Sequence, residues 1–157
     1  MKKTYINAGY IMRRFTAFLL CVMLLMSCLT IAVSADTTTT TVEYFEDGSY
    51  IVTELTVSNP LARATKTGSK ASTYYHSNGS KIFTTTVTGT FSYTSGVSVK
   101  ATSGSVNVVI HNSSASFVDK FASVSGNSVY GYGCVLYLNA KRSLSPNVTC
   151  DKYGNIT

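Results

Sequence analysis

The sequence predicts an all-β fold: an antiparallel β-sandwich, immunoglobulin-like or jelly-roll-like, of about eight or nine short strands. Three observations carry this. Apolar and aromatic residues alternate with Ser and Thr at period two through most of the chain. Turn pairs such as Asp47-Gly48 and Asn78-Gly79 punctuate it at roughly ten-residue intervals. Beyond residue 35, β-branched side chains and tyrosines dominate, and only 2 prolines occur in 157 residues.

The first element is an export signal ahead of that fold. Lys2, Lys3, Arg13 and Arg14 form a positive n-region and Phe15 to Val33 an apolar run. Val33-Ser34-Ala35 reads as a small-residue cleavage site before Asp36. The apolar run also approaches the length of an uncleaved anchor, and Leu25-Met26-Ser27-Cys28 loosely resembles a lipobox. The polar residues that follow at once, Asp36 and five threonines, favour cleavage between Ala35 and Asp36. What remains, 36–157, is the size of one domain and large enough to bury a core.

The strands follow in order. Val42 to Glu46 and Ser49 to Val57 flank Asp47-Gly48, which predicts a type I′ hairpin with Tyr44 opposite Ile51 and Val42 opposite Thr53. These residues, with Leu55 and Val57, would share a core face. Residues 36–62 thus form a leader and hairpin, and 63–72, with Gly68 and scattered bases after Asn59-Pro60, reads as a loop or linker before a main sandwich over 73–157.

Asn78-Gly79 predicts a second hairpin, from Thr73–Ser77 into a strand reaching Tyr93. There Phe83, Thr85, Val87, Gly89 and Phe91 should face the core and the intervening threonines water. Val97-Val99-Ala101 and Val106-Val108-Ile110 repeat the alternation, with a turn expected at Ser103-Gly104. Ala115–Ser125 reads as a strand, although Phe117 and Phe121 also fit helical spacing. Val129–Ala140 is a long strand broken by Gly131 and Gly133, and Asn147–Lys152 closes the domain. Cys134 and Cys150 lie symmetrically about Arg142, so a hairpin turning there would place them close enough for a disulfide in an exported chain. Two free buried thiols are the alternative.

Function classes are narrowed mainly by exclusion. The chain has 13 basic and 7 acidic residues. Four of the basic ones leave with the signal, so the mature net charge falls from +6 to +2 and no dense basic stripe points to nucleic acid. Only His76 and His111 could act as a near-neutral base, and no motif fixes a nucleophilic serine, so no catalytic residues are assigned. The carboxylates Glu43, Glu46, Asp47, Glu54, Asp119 and Asp151 alternate with apolar residues as a wet face does. No metal-ligand spacing and no cofactor motif occurs. Tyr75, Tyr130, Tyr132 and Tyr137 could supply a sugar-stacking or membrane-interface surface if they share one face. Arg63, Lys66 and Lys70, with Lys81 beyond, form the one basic concentration of the mature part.

Tyr44-Phe45-Glu46-Asp47-Gly48-Ser49-Tyr50, Ala64 to Lys70, Val87-Thr88-Gly89-Thr90-Phe91 and Thr149 to Asn155 together resemble small secreted β-rich proteins of gut clostridia that have no assigned function. That resemblance implies export and a β fold. Tyr75-His76-Ser77-Asn78-Gly79-Ser80-Lys81 followed by Thr84 to Val87 resembles the hairpin of lactococcin 972 type bacteriocins, which implies action on the cell envelope. The expectation is therefore a secreted, non-enzymatic module that binds cell-wall glycan, surface polymer or another protein, with a bacteriocin-like antimicrobial as the alternative. The candidate surface-binding residues are Tyr75, His76 and Lys81, with Arg63, Lys66 and Lys70.

Overall fold

The computed structural model describes residues 36–58 and 65–157. The signal segment, the cleavage residue Ala35 and Arg63 lie outside the described residues. Every regular element among those described is a strand: β1 (Thr37–Tyr44), β2 (Tyr50–Ser58), β3 (Thr65–Tyr75), β4 (Lys81–Thr94), β5 (Ser98–Ile110), β6 (Ala115–Ser125), β7 (Ser128–Tyr137), β8 (Ala140–Leu144) and β9 (Asn147–Thr149). All pairs are antiparallel. One sheet has the order β1-β2-β3-β4-β5, and in the other β6 and β8 flank β7, with β9 paired to the far end of β7. In the five-stranded sheet each strand lies beside its neighbour in sequence. An immunoglobulin-like or jelly-roll order needs a Greek-key return, and the described strands make none.

Two core clusters join the sheets. One gathers Val87, Phe91 and Ala101 from the first sheet against Val129 and Val148 from the second, with Cys150 and Ile156. The other gathers Tyr74, Ile82 and Phe83 against Val135, Tyr137 and Leu144. Along β4 the expected division holds from Phe83 on: Phe83, Thr85, Val87 and Phe91 are fully buried while Thr84, Thr86, Thr88 and Thr90 are half-buried on the other face. Ile82, which by alternation belongs with the threonines, is instead buried in the core at a bulge.

Glycines let the sheets approach closely. Gly68, Gly89 and Gly104 are paired side by side across β3, β4 and β5. Side chains of the second sheet and the C-terminal segment fill the trough they leave. A Cβ on Gly68 would lie 2.6 Å from Ile156, one on Gly89 would lie 2.9 Å from Val129, and one on Gly104 would overlap the Val129 methyls. Gly131 and Gly133 on β7 receive Val87 and Thr85 in the same way. A knob on each sheet enters a gap on the other, which keeps the interior dense.

Several expectations are corrected, each for a local reason. Residues 65–72 are strand rather than linker. Their faces carry hydroxyls outward and Lys66, Gly68 and Lys70 inward, so no apolar alternation marks them, yet they pair in register with both neighbours. The Ser103-Gly104 turn is absent because β5 runs straight through. The apolar phase switches from Val99 and Ala101 to Val106 and Val108 through a bulge at Thr102, where Thr90 pairs with Ser103 but Phe91 with Ala101. The first hairpin has three loop residues: the Phe45 N–H donates to the Ser49 carbonyl and the Gly48 N–H to the Phe45 carbonyl, with φ +79° at Gly48 alone. This glycine-bulge turn, repeated at Gly79, pairs Tyr44 with Tyr50 and Glu43 with Ile51. The one-residue shift turns Val42 and Tyr44 away from Ile51, and β1 is exposed along its whole length.

The cysteine hairpin also turns elsewhere, at Leu138 and Asn139, whose φ values of 50° and 60° fit a type I′ turn. Cys134 then faces Ser143 across β8, whereas Cys150 donates its N–H to Asn127 at the opposite end of β7. Seven strand residues at about 3.4 Å each separate those ends by about 24 Å, against a disulfide reach of roughly 7 Å between Cα atoms. Cys134 and Cys150 are two buried, free cysteines.

Candidate functional site

The outer face of the five-stranded sheet holds the densest group of the candidate residues. The register that pairs Tyr44 with Tyr50 also pairs Tyr50 with Tyr75 and Tyr75 with Lys81. Paired residues share a face, so three tyrosines and a lysine stand in one row across four strands. Their rings follow one another closely: Tyr44 and Tyr50 centroids are 5.4 Å apart, and Tyr50 and Tyr75 stack at 4.7 Å with 5° between planes. The outermost, Tyr44, is 73% exposed. A bulge at Ile82 sets the end of the row, since Tyr74 pairs with Phe83 while Tyr75 pairs with Lys81.

Hydroxyls pave the sheet beside this row. Thr73 and Thr84 Oγ1 atoms lie 2.9 Å apart, and Thr84 Oγ1 lies 2.9 Å from His111 Nε2. Further along, Ser69 meets Thr88 at 3.1 Å and Thr67 meets Thr90 at 3.4 Å. Burial and the charge of nearby Lys81 hold the His111 imidazole below its ordinary pKa, favouring the neutral ring. A neutral imidazole, an ammonium and paired hydroxyls offer both donors and acceptors next to the edges of the tyrosine stack and the exposed ring of Tyr44. That combination binds polyhydroxylated molecules by stacking and hydrogen bonding.

Other candidate residues are dispersed. His76 leaves the tyrosine row and meets Tyr137 edge-on at 6.0 Å, on the side of the second sheet. Lys66 and Lys70 project from the inward face of β3, away from Lys81. Tyr137 is buried, while Tyr130 and Tyr132 lie on the outer face of β7, where Tyr132 stacks on Phe121 at 4.9 Å. The four tyrosines singled out in the sequence therefore do not line one surface. Asp47 spends its Oδ1 on the N–H and hydroxyl of Ser49, which lowers its pKa, helped by the fields of Arg142 and His76. Asp151 is likewise lowered, by the Asn155 amide donors that close the last turn. Both carboxylates are turn fixtures. Among the described residues no three His, Cys, Asp or Glu side chains cluster as a metal site requires.

Sequence reasoning found Tyr75 and Lys81 but missed Tyr44, Tyr50 and His111 as their companions. The available signal was the cross-strand register, which the glycine-bulge turn reset by one residue. No family model, curated protein or solved structure matches this chain.

Proposed function

We propose that this protein is a secreted, non-enzymatic β-sandwich of meander topology that binds glycan at or beyond the cell envelope, through the outer face of its five-stranded sheet. The observation that carries the reading is the row Tyr44-Tyr50-Tyr75-Lys81 beside paired Ser and Thr hydroxyls. Sugar rings present apolar CH faces to aromatic planes and hydroxyls to polar neighbours. Tyr50 and Tyr75 cover each other's faces, so the exposed ring of Tyr44 offers the stacking plane and the Ser and Thr rows the polar contacts. The export signal expected over residues 1–35 supports a location of this face outside the cell.

The test is retention of the protein on purified cell walls and insoluble polysaccharides, compared with Tyr50→Ala. Removing the middle ring of the stack, at about 0.5–1.5 kcal/mol, should weaken retention about twofold to twelvefold. Absence of retention on any wall or glycan, or an unaltered Tyr50→Ala variant, refutes the reading. A bacteriocin-like action keeps one support, because the Tyr75–Lys81 hairpin forms the end of the same row. Normal growth of related bacteria in the presence of the protein would end that alternative.

A further inference from the structure

At the end of the molecule marked by the first hairpin turn, the two sheets leave a cleft of about 330 Å³. Phe45, Asp47, Ser49 and Tyr74 line it from the first sheet, and Lys141, Arg142 and Ser143 from β8, the Ser143 side chain lying on the outer face with Cys134. Its volume falls at the small end of the range that holds small molecules, roughly 300–1,000 Å³. It opens on the inward side of the hairpin whose outward side carries the tyrosine row.

The wall chemistry is asymmetric. Arg142 pairs with Val135 on the inward face of β8, and its guanidinium lies 5.8 Å from the centre of the Tyr74 ring. Arginine held against an aromatic face keeps its in-plane donors available for a bidentate acceptor. Across the cleft Asp47 stands within reach of the Arg142 field, yet its Oδ1 is taken by Ser49. The acid is thus anchored to its own turn, and its second oxygen can accept a hydroxyl. Phe45, 42% exposed, adds a flat apolar surface beside these groups.

We propose that this cleft binds a single carboxylate-bearing sugar ring, a uronic-acid-type unit, with the carboxylate on Arg142, a hydroxyl on the second oxygen of Asp47, and the ring's apolar face against Phe45. The inference deepens the glycan-binding reading by adding an acidic subsite on the opposite side of the hairpin. Glucuronate matches the set: one carboxylate for the guanidinium, ring hydroxyls for the acid. Glucose lacks the first, and acetate the second.

The experiment is titration of the full-length protein with glucuronate, glucose and acetate, followed by amide chemical shifts. Saturable shifts at Ser49 and Ser143 are expected with glucuronate, with glucose and acetate each at least about fivefold weaker. Arg142→Gln should weaken glucuronate by about fivefold or more, and added salt should weaken it further. Tyr50→Ala, which removes the ring from the outer row, should leave glucuronate binding unchanged. Equal response to glucuronate and glucose, equal response to acetate, an unaltered Arg142→Gln variant, or no shift with any of the three overturns the proposal. Loss of wall retention in Tyr50→Ala reports separately on the outer row, so either reading can fail alone.

Discussion

Replacing Gly104 by Ala tests whether the sheets meet knob-into-gap. The added methyl would overlap Val129, a fully buried side chain that occupies the space above Gly104 and Gly89. On an open strand Gly→Ala gains about 0.4–1 kcal/mol from the unfolded chain. Overpacking a dense core loses about 1–3 kcal/mol, so the net expectation at Gly104 is a loss of about 1–2 kcal/mol. Val129→Ala removes two buried carbons at about 0.8 kcal/mol each, and the residual void brings the loss to about 2–3 kcal/mol. If the two side chains compete for one space, the double variant refills part of that void. It should then be more stable than the sum of the two losses by at least about 1 kcal/mol. Urea unfolding followed by circular dichroism, with slopes compared so that only the midpoint changes, measures all four proteins. A neutral Gly104→Ala, or losses additive to within about 0.5 kcal/mol, would refute the interlocking.

Three further outcomes follow from the same structure. Thr85 Oγ1 is buried with no hydrogen-bond partner, so Thr85→Val should raise stability by about 1 kcal/mol, read as a higher unfolding midpoint. Leu138 and Asn139 both hold positive φ, a conformation that Asn-Gly adopts readily. The pair Leu138→Asn and Asn139→Gly should therefore stabilise by about 0.5–1 kcal/mol, seen in thermal melts. His111 has its pKa lowered from 6.5 by burial first and Lys81 second. The unfolded chain then binds the proton more readily, so stability is full above about pH 6.5 and declines as pH falls below it. His111→Gln should flatten that decline, and a second fall, from Asp47 and Asp151, should begin below about pH 3.8 in both proteins.

The strand content was legible because β4 alternates cleanly, and the core face of Phe83, Val87 and Phe91 followed directly from it. What stayed hidden was every feature set by a neighbour. β3 is a strand because β2 and β4 pair with it, not because Thr65 to Ser72 looks like one. Gly104 reads as a turn in sequence, but packing under Val129 explains it better. The Asp47-Gly48 pair announces a hairpin without revealing that only Gly48 takes positive φ, and that single residue decided which tyrosines meet. Asn127 and Ser143 separate the two cysteines, and neither carries any mark of doing so. The cleft under the hairpin was invisible for the same reason: Arg142 and Asp47 are joined by no motif, only by the approach of β8 to the first turn.

The sequential strand order also makes the first sheet mechanically uneven. β1 is held along one side, by its ladder to β2, and its other side is open. A pull at Thr37 directed away from the sheet loads one cross-strand pair at a time, so β1 opens as a zipper does. The same pull along β4 must slide 11 pairs against β3 and 12 against β5 at once. Because β1 buries nothing, the eight residues it releases add about 27 Å of extended chain while both core clusters stay closed. The threonine strand is thus a compliant lead into a stiff body, yielding to load before the interior feels it, with Tyr44 the last of its residues to leave the tyrosine row.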